Sequence, residues 1–154
     1  MAAYYHDSSA LIKHYHPEVG TPVVGKILSE PNALHYLSRL SGVEVPSAFA
    51  KKVRTQEITG ADFQRIYQKF LVDMTQPQYR IIRLLERHLQ RAEQLVQKYG
   101  LTGGLRTLDA IQLAVAMDAD NRHGIDYFVC SDTNLCTAAT AEGYNVINPT
   151  TATP

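Results

Sequence analysis

Short strand-like runs alternate with longer helical ones along the whole of this 154-residue chain, and that alternation restricts the fold more than any other feature. Strands each followed by a helix pair through crossovers, so the pattern predicts an α/β fold with a central, mainly parallel sheet of four to five strands. The strand pattern covers residues 2–6, 33–38, 79–84, 127–131 and 144–148. Helical periodicity covers 8–15, 18–29, 42–56, 61–74, 85–99, 107–121 and 134–142. "TGAD" at 59–62 has the form of a capping box, and Gly100 stands where a helix-ending glycine belongs. Pro46 removes one backbone bond from the third helix, which predicts a bend or a later start there.

A chain of this length closes one hydrophobic core without staples, so the reading is a single domain over 1–148 with a frayed tail at 149–154. Fifteen basic residues balance fifteen acidic ones, and a polyanion would therefore need a local basic patch. Of the two cysteines, Cys130 in "YFVC" reads as a small buried hydrophobe and Cys136 as packing on the helix that follows. Neither has zinc-site spacing, and no signal peptide precedes the first strand, so a reducing cytoplasm is expected. No apolar run approaches the roughly 18 residues of a membrane span.

The acids carry the functional signal. Asp7 closes the first strand, Glu44 lies early in the helix after the second, Asp109 opens the helix in "LRTLDAIQLAVA", and Asp132 follows the fourth strand. Strand C-termini and helix N-termini meet at one edge of a parallel sheet, so these four positions can face one cleft. Asp7 also suits a helix N-cap, and Asp109 suits a helix N-terminus paired with Arg106. Yet Asp109 interrupts an apolar set of Leu105, Leu108, Ile111, Leu113 and Val115. Four carboxylates in one partly dry pocket repel each other, and a divalent cation relieves that repulsion. An oxygen-only donor set selects Mg²⁺ or Mn²⁺. The six histidines, His6, His14, His16, His35, His88 and His123, show no ligand spacing. Ser8 and Ser9 are either helix caps or hydroxyls that hold the Asp7 carboxylate or a metal-bound water.

Three blocks resemble one family. "DSSALIK" at 7–13 is similar to an opening D-x-S-A-L-x-K, "LRTLDAIQLA" at 105–114 to L-R-x-L-D-A-x-H-L-A, and "FVCSDTNL" at 128–135 to T-x-D-x-x-L. In that order they resemble the PIN-domain ribonucleases, especially the VapC-type toxins of toxin–antitoxin pairs. Glu44 occupies the place of the family's second acid. Gln112 stands where many members carry histidine, and Pro46 is unusual in the helix bearing Glu44.

The resemblance implies a three-layer α/β/α sandwich and a cytoplasmic, homodimeric, Mg²⁺- or Mn²⁺-dependent endoribonuclease held by an antitoxin protein. It implies Asp7 and Asp109 as principal metal ligands, with Glu44 and Asp132 binding directly or through water. Ser8, Ser9, Ser131 and Asn134 would support them, and Lys13 would either approach the phosphate or stay solvated. Lys51, Lys52, Arg54, Arg83, Arg87 and Arg91 either track RNA or simply face water. Phe49, Val53, Phe63, Ile66, Tyr67 and Phe70 offer an antitoxin groove, or else core. Two rivals stand beside this reading. One is a catalytically idle PIN fold that binds RNA or protein. The other is a receiver-like Mg²⁺-binding domain, which would need paired acids after the first strand and a lysine after the last; here Asp7 stands alone and Pro149 follows.

Overall fold

Residues 1–153 are described by a computed structural model, and among them five strands and seven helices alternate. The strands are β1 (Ala3–His6), β2 (Leu34–Ser38), β3 (Tyr79–Ile82), β4 (Tyr127–Val129) and β5 (Val146–Ile147). They form one sheet in the order β3-β2-β1-β4-β5, and every pairing is parallel. The chain therefore starts at the centre, winds outward to β3, and returns to the other side of β1. That reversal makes β1 the switch point, where the crossovers leave in opposite directions and a crevice opens beyond the strand ends.

The helices are α1 (Ser8–Tyr15), α2 (Thr21–Leu28), α3 (Ser41–Arg54), α4 (Gly60–Asp73), α5 (Glu86–Gly103), α6 (Thr107–His123) and α7 (Thr133–Ala141). One face of the sheet sends Tyr5 and Phe128 into a core shared with α5, α6 and α7. The other sends Leu37 and Tyr79 against α1, α3 and α4, and Tyr4 and Val129 against α2. The result is three layers, α/β/α. Tyr5, Phe128, Leu37 and Leu11 are all fully buried, each stabilising the fold by about 1.5–3 kcal/mol. Helix α6 is buried nearly all round from Ala110 to Ala116. Its small residues Ala110, Ala114 and Ala116 let α5 and the sheet approach closely, which leaves Asp109 at the rim and Gln112 inside.

Four expectations change. Helix α2 begins at Thr21, because Gly20 at φ 97° cannot join a right-handed helix. Gly100 does not end α5; the helix runs on to Gly103, and Gly104 at φ 65° takes the left-handed cap. Helix α3 starts at Ser41 and continues through Pro46. The segment after β5 is anchored: Pro149 is buried, Thr151 and Ala152 donate to the Asn148 carbonyl, and Ala152 packs against the third core cluster. The Thr59–Asp62 capping box forms as expected. Cys130 is fully buried, and the structure pairs it with Cys136 across the β4–α7 turn, Cα atoms 6.2 Å apart. No helix among the described residues is long and apolar enough to cross a membrane.

Candidate active site

Each of the four acids is placed by the end of a different element. Asp7 sits between β1 and α1, where its N–H donates to the Val129 carbonyl at 2.9 Å and so fixes it against β4. Its carboxylate caps α1, accepting from the Ser9 N–H at 2.9 Å and from the Ser9 hydroxyl. The same hydroxyl oxygen accepts from the Ser131 N–H at 3.0 Å, tying the Asp7 corner to the loop that carries Asp132. Asp132 caps α7 by accepting from the Leu135 N–H at 3.0 Å. Glu44, in the first turn of α3, accepts from the Ser8 hydroxyl at 2.6 Å and from the Gln112 amide. Asp109 lies in the first turn of α6, which Arg106 precedes; Arg106 reaches Asp109 at 3.4 Å and Asp132 at 3.1 Å.

All four carboxylates line one open cavity of about 620 Å³, together with Ser8, Ser9, Lys51, Arg54 and Arg106. Burial pushes the Asp7 carboxyl up to about 7; the Ser9 hydrogen bonds oppose this, and the charges of Glu44 and Asp109 add to it. Burial also raises Glu44 against the pull of Ser8 and Gln112, with the Asp109 charge adding to it. Asp109 is raised by burial and by Asp132, with Arg106 opposing. The acids thus feel each other's charge, and a hard cation would relieve them. The all-oxygen donor set fits Mg²⁺ or Mn²⁺ by its chemistry. Among the described residues no three His, Cys, Asp or Glu side chains converge into a metal-holding group. Each acid is instead held by a protein partner: Asp7 by Ser9, Glu44 by Ser8 and Gln112, and Asp109 and Asp132 by Arg106.

Other anticipated residues fall elsewhere. Lys13 is neither at the cleft nor solvated: it is buried and paired with Glu18 at 3.0 Å. Asn134 is exposed and donates to the Gly104 carbonyl at 3.3 Å, outside the cleft lining. Ser131 serves through its backbone, and its hydroxyl is buried without a partner among the described residues. Lys52 pairs with Glu57 at 2.9 Å. The candidate groove residues Phe49, Ile66 and Phe70 are core, with Val53, Phe63 and Tyr67 packed against them.

Sequence reasoning gave Gln112, Ser41 and Tyr5 no role at this site. The Tyr5 hydroxyl donates to the Gln112 carbonyl oxygen at 2.7 Å, while the Gln112 amide faces Ser8, Ser41 and Glu44. The signal for it was one amide in the apolar run "AIQLAVA".

The PIN-domain family model matches residues 4–141. No curated protein sequence matches the chain. Among solved structures, FitAcB from Neisseria gonorrhoeae is similar at a TM-score of 0.66 and 19% identity, over 97% of this chain and 99% of that one. The sarcin-ricin loop cleaving toxin VapC20 of Mycobacterium tuberculosis gives 0.62 and 13%, over 95% and 99%. A toxin–antitoxin complex from Klebsiella pneumoniae gives 0.60 and 18%, over 97% and 98%. At these identities the likeness is one of fold.

Proposed function

This chain belongs to the PIN-domain family, and we propose that it is a Mg²⁺- or Mn²⁺-dependent endoribonuclease, the toxin of a toxin–antitoxin pair. The observation that carries this reading is the meeting of Asp7, Glu44, Asp109 and Asp132 in one cavity whose rim is basic. Asp7 and Asp109 would hold the cation, with Glu44 and Asp132 beside them; once bound, it polarises a phosphodiester and lowers the pKa of a water. The chain's own residues do the rest. Lys51 and Arg54 bind phosphates at the cleft wall. Ser9 orients the Asp7 carboxylate, and Ser8 with Gln112 orients that of Glu44. Arg106 pairs with Asp109 and Asp132 and sets a positive charge in the lining of the cleft, where a bound cation would compete with it for the two acids.

The catalytic unit is one cytoplasmic domain over 1–148 that acts as a homodimer. Its antitoxin lays an apolar helix over the pocket of about 230 Å³ edged by Tyr67, Leu71, Met74 and Ile81, with the buried Leu37 and Phe70 at its floor. The similar fold of the toxin–antitoxin complex from Klebsiella pneumoniae supports such a partner. The lack, among the described residues, of three converging ligands favours a second reading, an inactive PIN fold that binds RNA. Incubating the pure protein with RNA, with and without Mn²⁺, separates the two. Cation-dependent fragments support the nuclease, and intact RNA that remains bound supports the binding module.

A further inference from the structure

On the α5–α6 side of the sheet, edge strand β3 borders a second cavity of about 480 Å³ that shares no lining residue with the acidic cleft. Arg80, Arg83, Arg87 and Arg122 line it, against a single carboxylate, Asp118. With Arg91 in the adjoining hollow, this face gathers five of the nine arginines of a chain with zero formal net charge. Such an imbalance is the local basic patch a neutral chain needs to hold a polyanion.

The patch is ordered from beneath. The Leu85 N–H donates to Nδ1 of buried His88, so the proton sits on Nε2, which donates to Asp118 at 3.0 Å. That fixed carboxylate receives Arg87 through Nε and Nη2, both at 3.0 Å, and Arg122 at 3.3 Å. Both guanidinium groups keep further N–H donors free of Asp118. Arg80 and Arg83 have no polar side-chain partner among the described residues. His123 stacks on Tyr36, ring centroids 5.3 Å apart and planes 21° apart, and is itself exposed at the cavity wall. Arginine forks beside an exposed aromatic ring match a phosphodiester strand whose bases are free to stack. An acidic peptide would use the arginines but not the ring.

We propose that this cavity is a second contact surface for single-stranded RNA, with phosphates on Arg80 and Arg83 and a base against His123. The identity of the nucleic acid rests on the ribonuclease reading; the binding itself does not require cleavage. The test is fluorescence anisotropy of a labelled oligoribonucleotide on the full chain in EDTA, at several salt concentrations. Arg80→Gln with Arg83→Gln should weaken binding about tenfold and flatten the log–log salt slope by about 1.4, the share of two phosphates. Lys26→Gln with Arg65→Gln, an equal charge change elsewhere, should do neither. His123→Ala should weaken binding about fivefold for a strand with bases and leave an abasic strand unaffected. Unchanged affinity and slope in the double variant, or an equal loss in the control, overturns the proposal. So does a polyglutamate peptide that loses affinity in the double variant while RNA does not, since that result assigns the surface to an acidic protein. Binding that depends on Arg80 and Arg83 in a protein that never cuts RNA upholds this surface and removes only the nuclease reading. Cleavage by a protein whose RNA affinity ignores both arginines does the reverse.

Discussion

Gln112 on α6 donates its side-chain amide to the Glu44 carboxylate on α3, and the direction of that bond is set by a third residue. Because the Tyr5 hydroxyl donates to the Gln112 carbonyl oxygen at 2.7 Å, the amide nitrogen must face Glu44, Ser8 and Ser41. The amide does not titrate, so Glu44 keeps this donor at every pH. Gln112→Leu leaves the Tyr5 hydroxyl and the Glu44 carboxylate short of a partner and should cost about 1–3 kcal/mol in urea denaturation. Gln112→Glu should be worse at neutral pH and recover as pH falls, because it sets a second acid against Glu44. Parent-like stability in both variants would show that the network does not hold Glu44.

Asp7 makes a pH-dependent prediction. Its carboxyl, ordinarily near 3.8, is raised to about 7 in the folded chain, so the neutral form fits the fold better than the charged one. Its contribution is full below about pH 4 and lost as pH rises through about 7. In EDTA, Asp7→Asn should therefore match the parent near pH 4 and exceed it at pH 8 by roughly 2–4 kcal/mol. Denaturation curves of both proteins across that range check the sign. A variant less stable than the parent at pH 8 would mean that capping by the charged carboxylate outweighs the cost of burying it.

Pro46 lies in the sixth position of α3, where it lacks the N–H that would reach the Gly42 carbonyl. Pro46→Ala restores that donor and removes a ring from the helix interior. Thermal melts should show a gain of about 1–3 kcal/mol, reduced from the full helix penalty by the freedom alanine returns to the unfolded chain. A loss of stability would show that α3 depends on the proline for its path.

Local signals were legible in the sequence, and long-range ones were not. The five strands, the Thr59–Asp62 box and the cap at Asp7 each depend on residues within a few positions, so pattern reading found them, whereas the Asp132 cap of α7 emerged only with the fold. The meeting of the four acids followed from parallel topology, a rule about strand ends rather than about any contact. The Glu44–Gln112 bond spans 68 positions and needs the packing angle of α3 against α6, which no local pattern encodes. Lys13 deceived for a similar reason: its partner Glu18 lies beyond the end of α1, where the chain turns back. Gly100 looked like a stop because glycine ends many helices, but Gly104 already supplies the left-handed residue.

Arg106 is exposed and bridges two acids, so removing it should barely change stability, by about 1 kcal/mol or less. Its effect should appear in cation binding. Arg106→Gln leaves Asp109 and Asp132 without their guanidinium, and Mn²⁺ should then raise the melting temperature more than it does in the parent. An equal or smaller Mn²⁺ shift would contradict the role of Arg106 as the competing charge.

Asp109→Asn addresses the acidic cluster itself. The substitution keeps size and a polar head at the first turn of α6 while removing one of four charges. RNA cleavage by parent and variant, measured with Mn²⁺ and with EDTA, should show parent activity only with the cation and a fall of several orders of magnitude in the variant. A variant that still cuts RNA as fast as the parent, or a parent equally active in EDTA, would contradict the account.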